Sequence, residues 1–127
     1  MMSQNQYYTT EQLEAFREIL LEKRREALEE LDYCKKELEE GLSQASGDTS
    51  TYSFHMADQG TDAQEQEKTF MFASRQGKFL QTVDAALERI EKGRYGVCSV
   101  CSGKIDEGRL RIVPTAKLCI HCKTPEE

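Results

Sequence analysis

The chain has 127 residues, 38% hydrophobic and 31% charged, with no tryptophan and a net charge of −6. Such a length holds one domain or two small units, and the apolar content is thin for a single deep core; it suits elongated helices plus a small metal-stapled module. The negative balance argues against a simple nucleic-acid binder, which shows a basic footprint, and no apolar run has the length of a membrane span.

Residues 1–10 are polar, lack the apolar segment of a signal peptide, and read as a loose arm carrying Tyr7 and Tyr8. Thr9 or Thr10 can cap a helix, with Glu11 in a first turn favoured by the helix dipole. That helix is expected over about residues 11–40. Leu13, Phe16, Leu20, Ala27, Leu31, Cys34 and Leu38 recur in steps of mostly three and four, a coiled-coil seam. Arg24 takes the slot between Leu20 and Ala27, Leu21 and Leu28 widen the stripe, and Gly41 is a natural stop. Cys34 reads as a small buried hydrophobe rather than a reactive thiol.

Residues 41–61 are rich in Gly, Ser and Thr and read as a connector, with Tyr52-Ser53-Phe54-His55-Met56 more apolar than a plain linker needs. A second helix is expected from about 62 to 92, starting near Asp62 or just before it with Asp58 as cap, and ending at Gly93. Ala73, Leu80, Val83, Leu87 and Ile90 form its seam with Gln76 inside it, and Phe72, Phe79 and Ala86 form a second stripe. Each helix would be about 45 Å long at 1.5 Å per residue. Two seamed helices joined by a modest loop fold back as an antiparallel hairpin, with dimerisation through the same seam as the competing arrangement. The charge falls unevenly: net −5 over residues 11–40, −3 over 41–93 and +2 over 94–127.

The last segment, 94–127, carries the strongest signal. Cys98-Ser99-Val100-Cys101 and Cys119-Ile120-His121-Cys122 are two Cys-x-x-Cys knuckles separated by seventeen residues, a spacing that suits a structural zinc site. Zn²⁺ takes four thiolates tetrahedrally, two from each knuckle, and leaves no open position for catalysis. An S₄ set also suits iron, and His121 inside the second knuckle offers a substitute ligand. Two disulfides would need an oxidising compartment, and a redox Cys-x-x-Cys would sit in a βαβ pattern; neither setting is visible. Gly96 and Gly103 flank the first knuckle where the chain turns tightly. Ile105, Leu110, Ile112, Val113 and Leu118 are expected to form a small apolar cluster, with Pro114 and Thr115 turning into the second knuckle.

No Ser/His/Asp or Cys/His set and no phosphate loop is suggested by the order of residues, so an enzyme is not expected. The polar feature of interest is the end of the hairpin, where Asp58 and Asp62 lie four residues apart at a helix start. Acids there cap helices and complement the dipole. Held at the end of a long rod, they can also enter a cleft and meet a metal ion or basic groups. His55 nearby reads as a solvated loop histidine.

The chain resembles the DksA/TraR family of bacterial transcription factors over nearly its whole length. The resemblance rests on Tyr95-Gly96-Val97-Cys98, on Arg109-Leu110, on residues 114–123 (Pro-Thr-Ala-Lys-Leu-Cys-Ile-His-Cys-Lys), and on Ala57-Asp58-Gln59-Gly60-Thr61-Asp62. It implies a mostly α fold, a long antiparallel coiled-coil helical hairpin (residues 11–93) with a small C-terminal four-cysteine zinc-finger module (94–127). It agrees with what the residues already suggest: a cytoplasmic, monomeric, non-enzymatic protein holding one structural zinc on Cys98, Cys101, Cys119 and Cys122. Its partner would be RNA polymerase rather than DNA: the acidic tip enters the secondary channel and shifts initiation, often together with the stringent-response nucleotide guanosine tetraphosphate.

The family tip carries Asp-x-x-Asp-x-Ala. Here the second Asp falls on Asp58, the first on His55 and the Ala on Gly60, with Asp62 an extra acid. Among basic residues beside the zinc module that the family uses for the nucleotide, Lys123 matches one. Val113 stands where an arginine is expected and Thr82 where a lysine is expected, so the response to that nucleotide is expected to be weak or absent. Arg109 is a further candidate contact for nucleotide or polymerase. Two other readings stay open on the residues alone: a zinc-ribbon nucleic-acid binder using Arg94, Lys104, Arg109, Arg111 and Lys117, and a helical interaction adaptor or dimer unconnected with transcription.

Overall fold

The structure, a computed structural model, describes residues 4–45 and 59–123; side chains at 41–45 and 59–62 are outside the description. Among the described residues the chain is mostly helical: α1 spans Thr10–Ala45, α2 Gln59–Glu91, α3 Glu107–Ile112 and α4 Ile120–Lys123. The start of α1 is a reciprocal cap. Gln12 N donates to Thr9 Oγ1 at 3.2 Å, and Thr9 N donates to Gln12 Oε1 at 2.9 Å, so two amide donors that the first turn leaves open are satisfied. The end of α2 is a Schellman turn. Gly93, at φ +75°, donates its N–H to Ile90 O, and Arg94 N donates to Arg89 O at 2.8 Å, which closes the last carbonyls.

One helix boundary differs from expectation, and the start of the second helix falls just before Asp62, as the alternative expectation had it. α1 passes through Gly41 to Ala45. A glycine within a helix costs only about 1 kcal/mol, and Leu42, Gln44 and Ala45 continue a helical composition. α2 starts at Gln59, three residues before Asp62 and one after Asp58; Asp58 itself lies outside the described residues.

The chain divides into two compact units. The first comprises Met1–Arg25 and Leu80–Glu127. Its core draws Leu13, Phe16 and Leu20 from α1, Val83, Ala86 and Ile90 from α2, and Tyr95, Cys98, Ile105, Leu110, Ala116 and Cys119 from the segment beyond. The three- and four-residue steps put these α1 and α2 positions on one face each, so the two helices bury their stripes against each other. Arg24, the charged residue in the α1 seam, is met by Asp84 of α2, Nε to Oδ1 at 2.8 Å. Leu21 and Leu28, expected to widen the stripe, are exposed at 43% and 39%; each sits one residue past a seam position, about 100° round the helix, and turns away.

Residues 4–9 are not the loose arm their composition suggested. Tyr8 is buried in the same core, its ring edge-on to Phe16 at 5.9 Å, and Phe16 stands 5.4 Å from Tyr95. Both buried phenols are hydrogen-bonded, Tyr8 to Ile105 O and Tyr95 to Pro114 O at 2.8 Å. An aromatic ring returns a large burial for two rotatable bonds, so one tyrosine suffices to fasten a short polar segment.

The second unit is Glu26–Phe79. Within it Ala27 and Cys34 are buried on the α1 seam, and Thr69 Oγ1 of α2 donates to Glu37 Oε2 of α1 at 3.4 Å. Burial raises the Cys34 thiol pKa, with Glu37 and Glu30 adding to it, as befits an inert packing residue. Within each unit one side-chain contact joins α1 to α2, Arg24 to Asp84 in the first and Glu37 to Thr69 in the second.

Candidate metal centre

The first knuckle is built on a short antiparallel bridge between Val97 and Lys104. Ile105 N donates to Gly96 O at 2.8 Å, and Cys98 N to Gly103 O at 2.8 Å. Between them Ser102 N returns to Cys98 O at 3.0 Å, with Ser102 itself at φ +61°. That left-handed residue reverses the chain so that Cys98 and Cys101 share a side. The second knuckle closes on itself, Cys122 N and Lys123 N both donating to Cys119 O. The knuckles are tied to each other by Ser99, whose N donates to Lys117 O at 2.9 Å.

The result brings Cys98, Cys101, Cys119 and Cys122 together, all four sulfurs within 4.8 Å of one another. Cys101 Sγ and Cys119 Sγ are 3.7 Å apart; a tetrahedral site with Zn–S bonds of about 2.3 Å has sulfurs about 3.8 Å apart. None of the five cysteines forms a disulfide. Donor set and spacing therefore fit one structural zinc ion, with every position taken by sulfur. His121 is exposed and not part of the set.

The thiols are polarised for this. Burial pushes the Cys98 pKa up, but the amides of Cys101, Cys119 and Val100 point at its sulfur and bring it down to about 6. Cys119 is lowered in the same way, the Cys122 backbone contributing most. Cys122 is instead pushed up to about 12, first by Cys98 and Cys119, because it is the sulfur left to hold a proton among thiolates. A divalent ion held by the four cysteines would take the place of that proton and neutralise the repulsion.

Around the centre the remaining expected residues are placed as follows. Arg109 on α3 donates Nε to Leu118 O at 3.1 Å, bracing the residue before Cys119. Lys123 is exposed at the end of α4. Val113 is half-buried and packs against the core. Gly60 and Asp62 fall in the first turn of α2. His55, like Asp58, lies outside the described residues.

Ile112, expected in the apolar cluster, is 83% exposed. It ends α3, a helix that the sequence pattern does not announce: Asp106 caps it through Gly108 N at 3.2 Å, and its single buried residue is Leu110. With only Leu110 facing inward, the residue two positions on is turned to solvent.

Two supports were also missed. Arg89 of α2 reaches across to Thr115 O at 3.2 Å. Tyr8 lies over Gly96, which is at φ +78°; a Cβ there would lie 2.7 Å from Tyr8 Cδ2. Gly96 itself was the available signal, since a glycine two residues before a ligand marks a special backbone or a close approach.

Residues 93–127 match the prokaryotic dksA/traR C4-type zinc finger family. The RNA polymerase-binding transcription factor DksA of Haemophilus influenzae is 28% identical over 127 residues, all of this chain and 82% of its own. That of Salmonella typhimurium is 30% identical over 108 residues, 77% of this chain and 72% of its own. A Bacillus subtilis protein, YteA, is 36% identical over 70 residues, 55% of this chain but only 29% of its own length. Among solved structures, transcription factor DksA2 from Pseudomonas aeruginosa superposes with a TM-score of 0.78 at 28% identity, covering 94% of this chain and 86% of that one.

Proposed function

This chain belongs to the DksA/TraR family, and on that premise we propose that it is a cytoplasmic, monomeric, non-enzymatic transcription factor that binds bacterial RNA polymerase directly. The observation that carries the reading is the match along the whole chain to a protein named for polymerase binding. The hairpin, residues 11–93, enters the secondary channel with its acidic end foremost, while the zinc module, 94–127, fixes the base and docks it. The charge distribution supports this division of labour: the hairpin is net negative and the module net positive. Opposite charges on the two parts orient the molecule on approach more than they add affinity.

Asp58 and Asp62 are the acids that work at the channel end, by charge and shape, near whatever metal or basic groups line it. Gly60 lacks the methyl of the family alanine and gives a more pliant tip. Guanosine tetraphosphate binds weakly or not at all. Val113 packs on the apolar core and offers no cation, Thr82 replaces a second one, and Lys123 and Arg109 remain; charge-assisted contacts are the strong ones for phosphate.

The test is co-purification with core polymerase followed by in-vitro transcription. Asp58→Asn should keep polymerase binding and lose most of the regulatory effect; regulation at the parental level would remove the tip mechanism. Titration calorimetry on the polymerase complex checks the nucleotide, and undiminished tight binding would overturn that part alone.

A further inference from the structure

The segment before α1 makes more contacts with the metal-bearing loop than a helix lead-in requires. Asn5 spends both ends of its amide. Nδ2 donates to Gly93 O at 3.3 Å and Tyr95 O at 2.7 Å, and Oδ1 accepts from Tyr7 N at 2.8 Å and Tyr8 N at 2.9 Å. That turn brings two phenols to the first knuckle. Tyr7 Oη donates to Ser102 O at 2.8 Å, the carbonyl of the left-handed residue directly after Cys101. Tyr8 fills the cradle over Gly96 and donates to Ile105 O, while Lys104 Nζ stands 5.2 Å from the centre of its ring. The knuckle's hydrogen-bonded frame, Gly96 to Ile105 and Cys98 to Gly103, is thus gripped at Gly96, Ser102 and Ile105 by residues more than 85 positions away in sequence.

We infer that the Asn5–Tyr8 segment is a strap that positions the first zinc knuckle and sets how fast the site exchanges its metal. Two sulfurs leave a tetrathiolate ion only if their turn opens. In the first knuckle, opening means releasing Ser102 from its left-handed conformation, whose cost for a residue with a Cβ favours departure once the turn is freed. Tyr7 holds the Ser102 carbonyl, and Tyr8 blocks movement of Gly96. The hydrogen bonds of Tyr7 and Tyr8 fall on the frame of the first knuckle, so the first is the pair whose escape the strap controls. Asn5, Tyr7 and Tyr8 are positioning residues here; none of them offers a ligand to the ion.

The experiment uses the zinc-loaded full chain. Zinc transfer to an excess of a chromogenic chelator is followed by stopped flow for the parent, Tyr7→Phe, Tyr8→Phe and Val83→Ala. The first two remove one hydroxyl each and keep the ring; the last weakens the same core away from the knuckle. Thermal midpoints of the zinc-saturated proteins are measured in parallel. The expected result is release about three- to ten-fold faster in Tyr7→Phe, the range for one lost hydrogen bond, with a thermal midpoint close to the parent. Val83→Ala should lower the midpoint more and change release less. Amide exchange at Ser102–Ile105 should quicken in Tyr7→Phe and Tyr8→Phe and stay parental in Val83→Ala. Parental release rates in both tyrosine variants would overturn the inference, as would release that simply tracks thermal stability across all of the variants.

Discussion

Gly96→Ala is the substitution for which the structure gives the clearest magnitude. At φ +78° any residue with a Cβ pays about 1–2 kcal/mol in backbone conformation alone. The new methyl would also sit inside the Tyr8 ring, 2.7 Å from Cδ2 and closer still to Cε2, and neither is a flexible chain end. Either the knuckle backbone shifts or Tyr8 leaves a core in which it is 4% exposed. Losing a buried aromatic outright costs about 3–5 kcal/mol; a partial displacement costs about half of that. The sum is about 3.5 kcal/mol, a large share of the 5–15 kcal/mol that holds a domain of this kind. The assay is urea unfolding of the zinc-loaded protein, in which the midpoint should fall while the slope stays constant. A double-mutant cycle isolates the clash. In a Tyr8→Ala background the same glycine substitution should cost only the backbone share, leaving a coupling of about 2 kcal/mol. A loss below about 1 kcal/mol in the parental background, or a coupling near zero, would refute the close packing of Tyr8 on Gly96.

Other expectations follow from the same geometry. Cys119→Ser should abolish stoichiometric zinc binding, measured by metal analysis after gel filtration. Most of the helical circular-dichroism signal should survive, since α1 and α2 contribute 36 and 33 residues against 6 and 4 from α3 and α4. Burial raises the Tyr95 phenol above 10, with Arg89 opposing and Tyr8 adding. Its contribution to stability is therefore complete below about pH 10 and is lost as pH climbs through the higher folded value. Tyr95→Phe should flatten that alkaline decline in urea midpoints, and at neutral pH it should cost about 1 kcal/mol for the lost bond to Pro114 O. Asp84→Asn should cost less than about 1 kcal/mol and nothing measurable in 1 M salt, because Arg24 and Asp84 are 41% and 49% exposed.

What the sequence disclosed, and what it concealed, divides by distance along the chain. The metal ligands were legible because each pair is local: two cysteines three positions apart declare themselves, and only the joining of the two knuckles had to be assumed. The seam was legible because Leu13, Phe16, Leu20 and Ala27 repeat at helical steps, and even the anomaly at Arg24 was visible, though its partner Asp84 was not. Tyr8 went unrecognised because its contacts, Gly96 and Ile105, lie about ninety residues on, and a polar lead-in with two tyrosines has no period to betray burial. α3 was too short to show one: six residues with a single inward leucine leave Ile112 looking like core when it faces water. Gly41 misled as a stop because a glycine closes a helix when it takes up the left-handed conformation itself, as Gly93 does, and composition alone does not distinguish the two.

Asn5 joins residues near the start of the chain to Gly93 and Tyr95, and Tyr8 reaches Ile105. During synthesis the opening residues therefore emerge from the ribosome long before the atoms that hold them. The first compact unit cannot be completed until the residues through Cys119 are out. Closing so long a loop carries an entropic cost that rises only slowly with length, but contacts of such separation slow folding. Attachment of the leading segment is accordingly a late event, and a nascent chain stalled short of Ile105 would present Tyr8 and Phe16 to solvent.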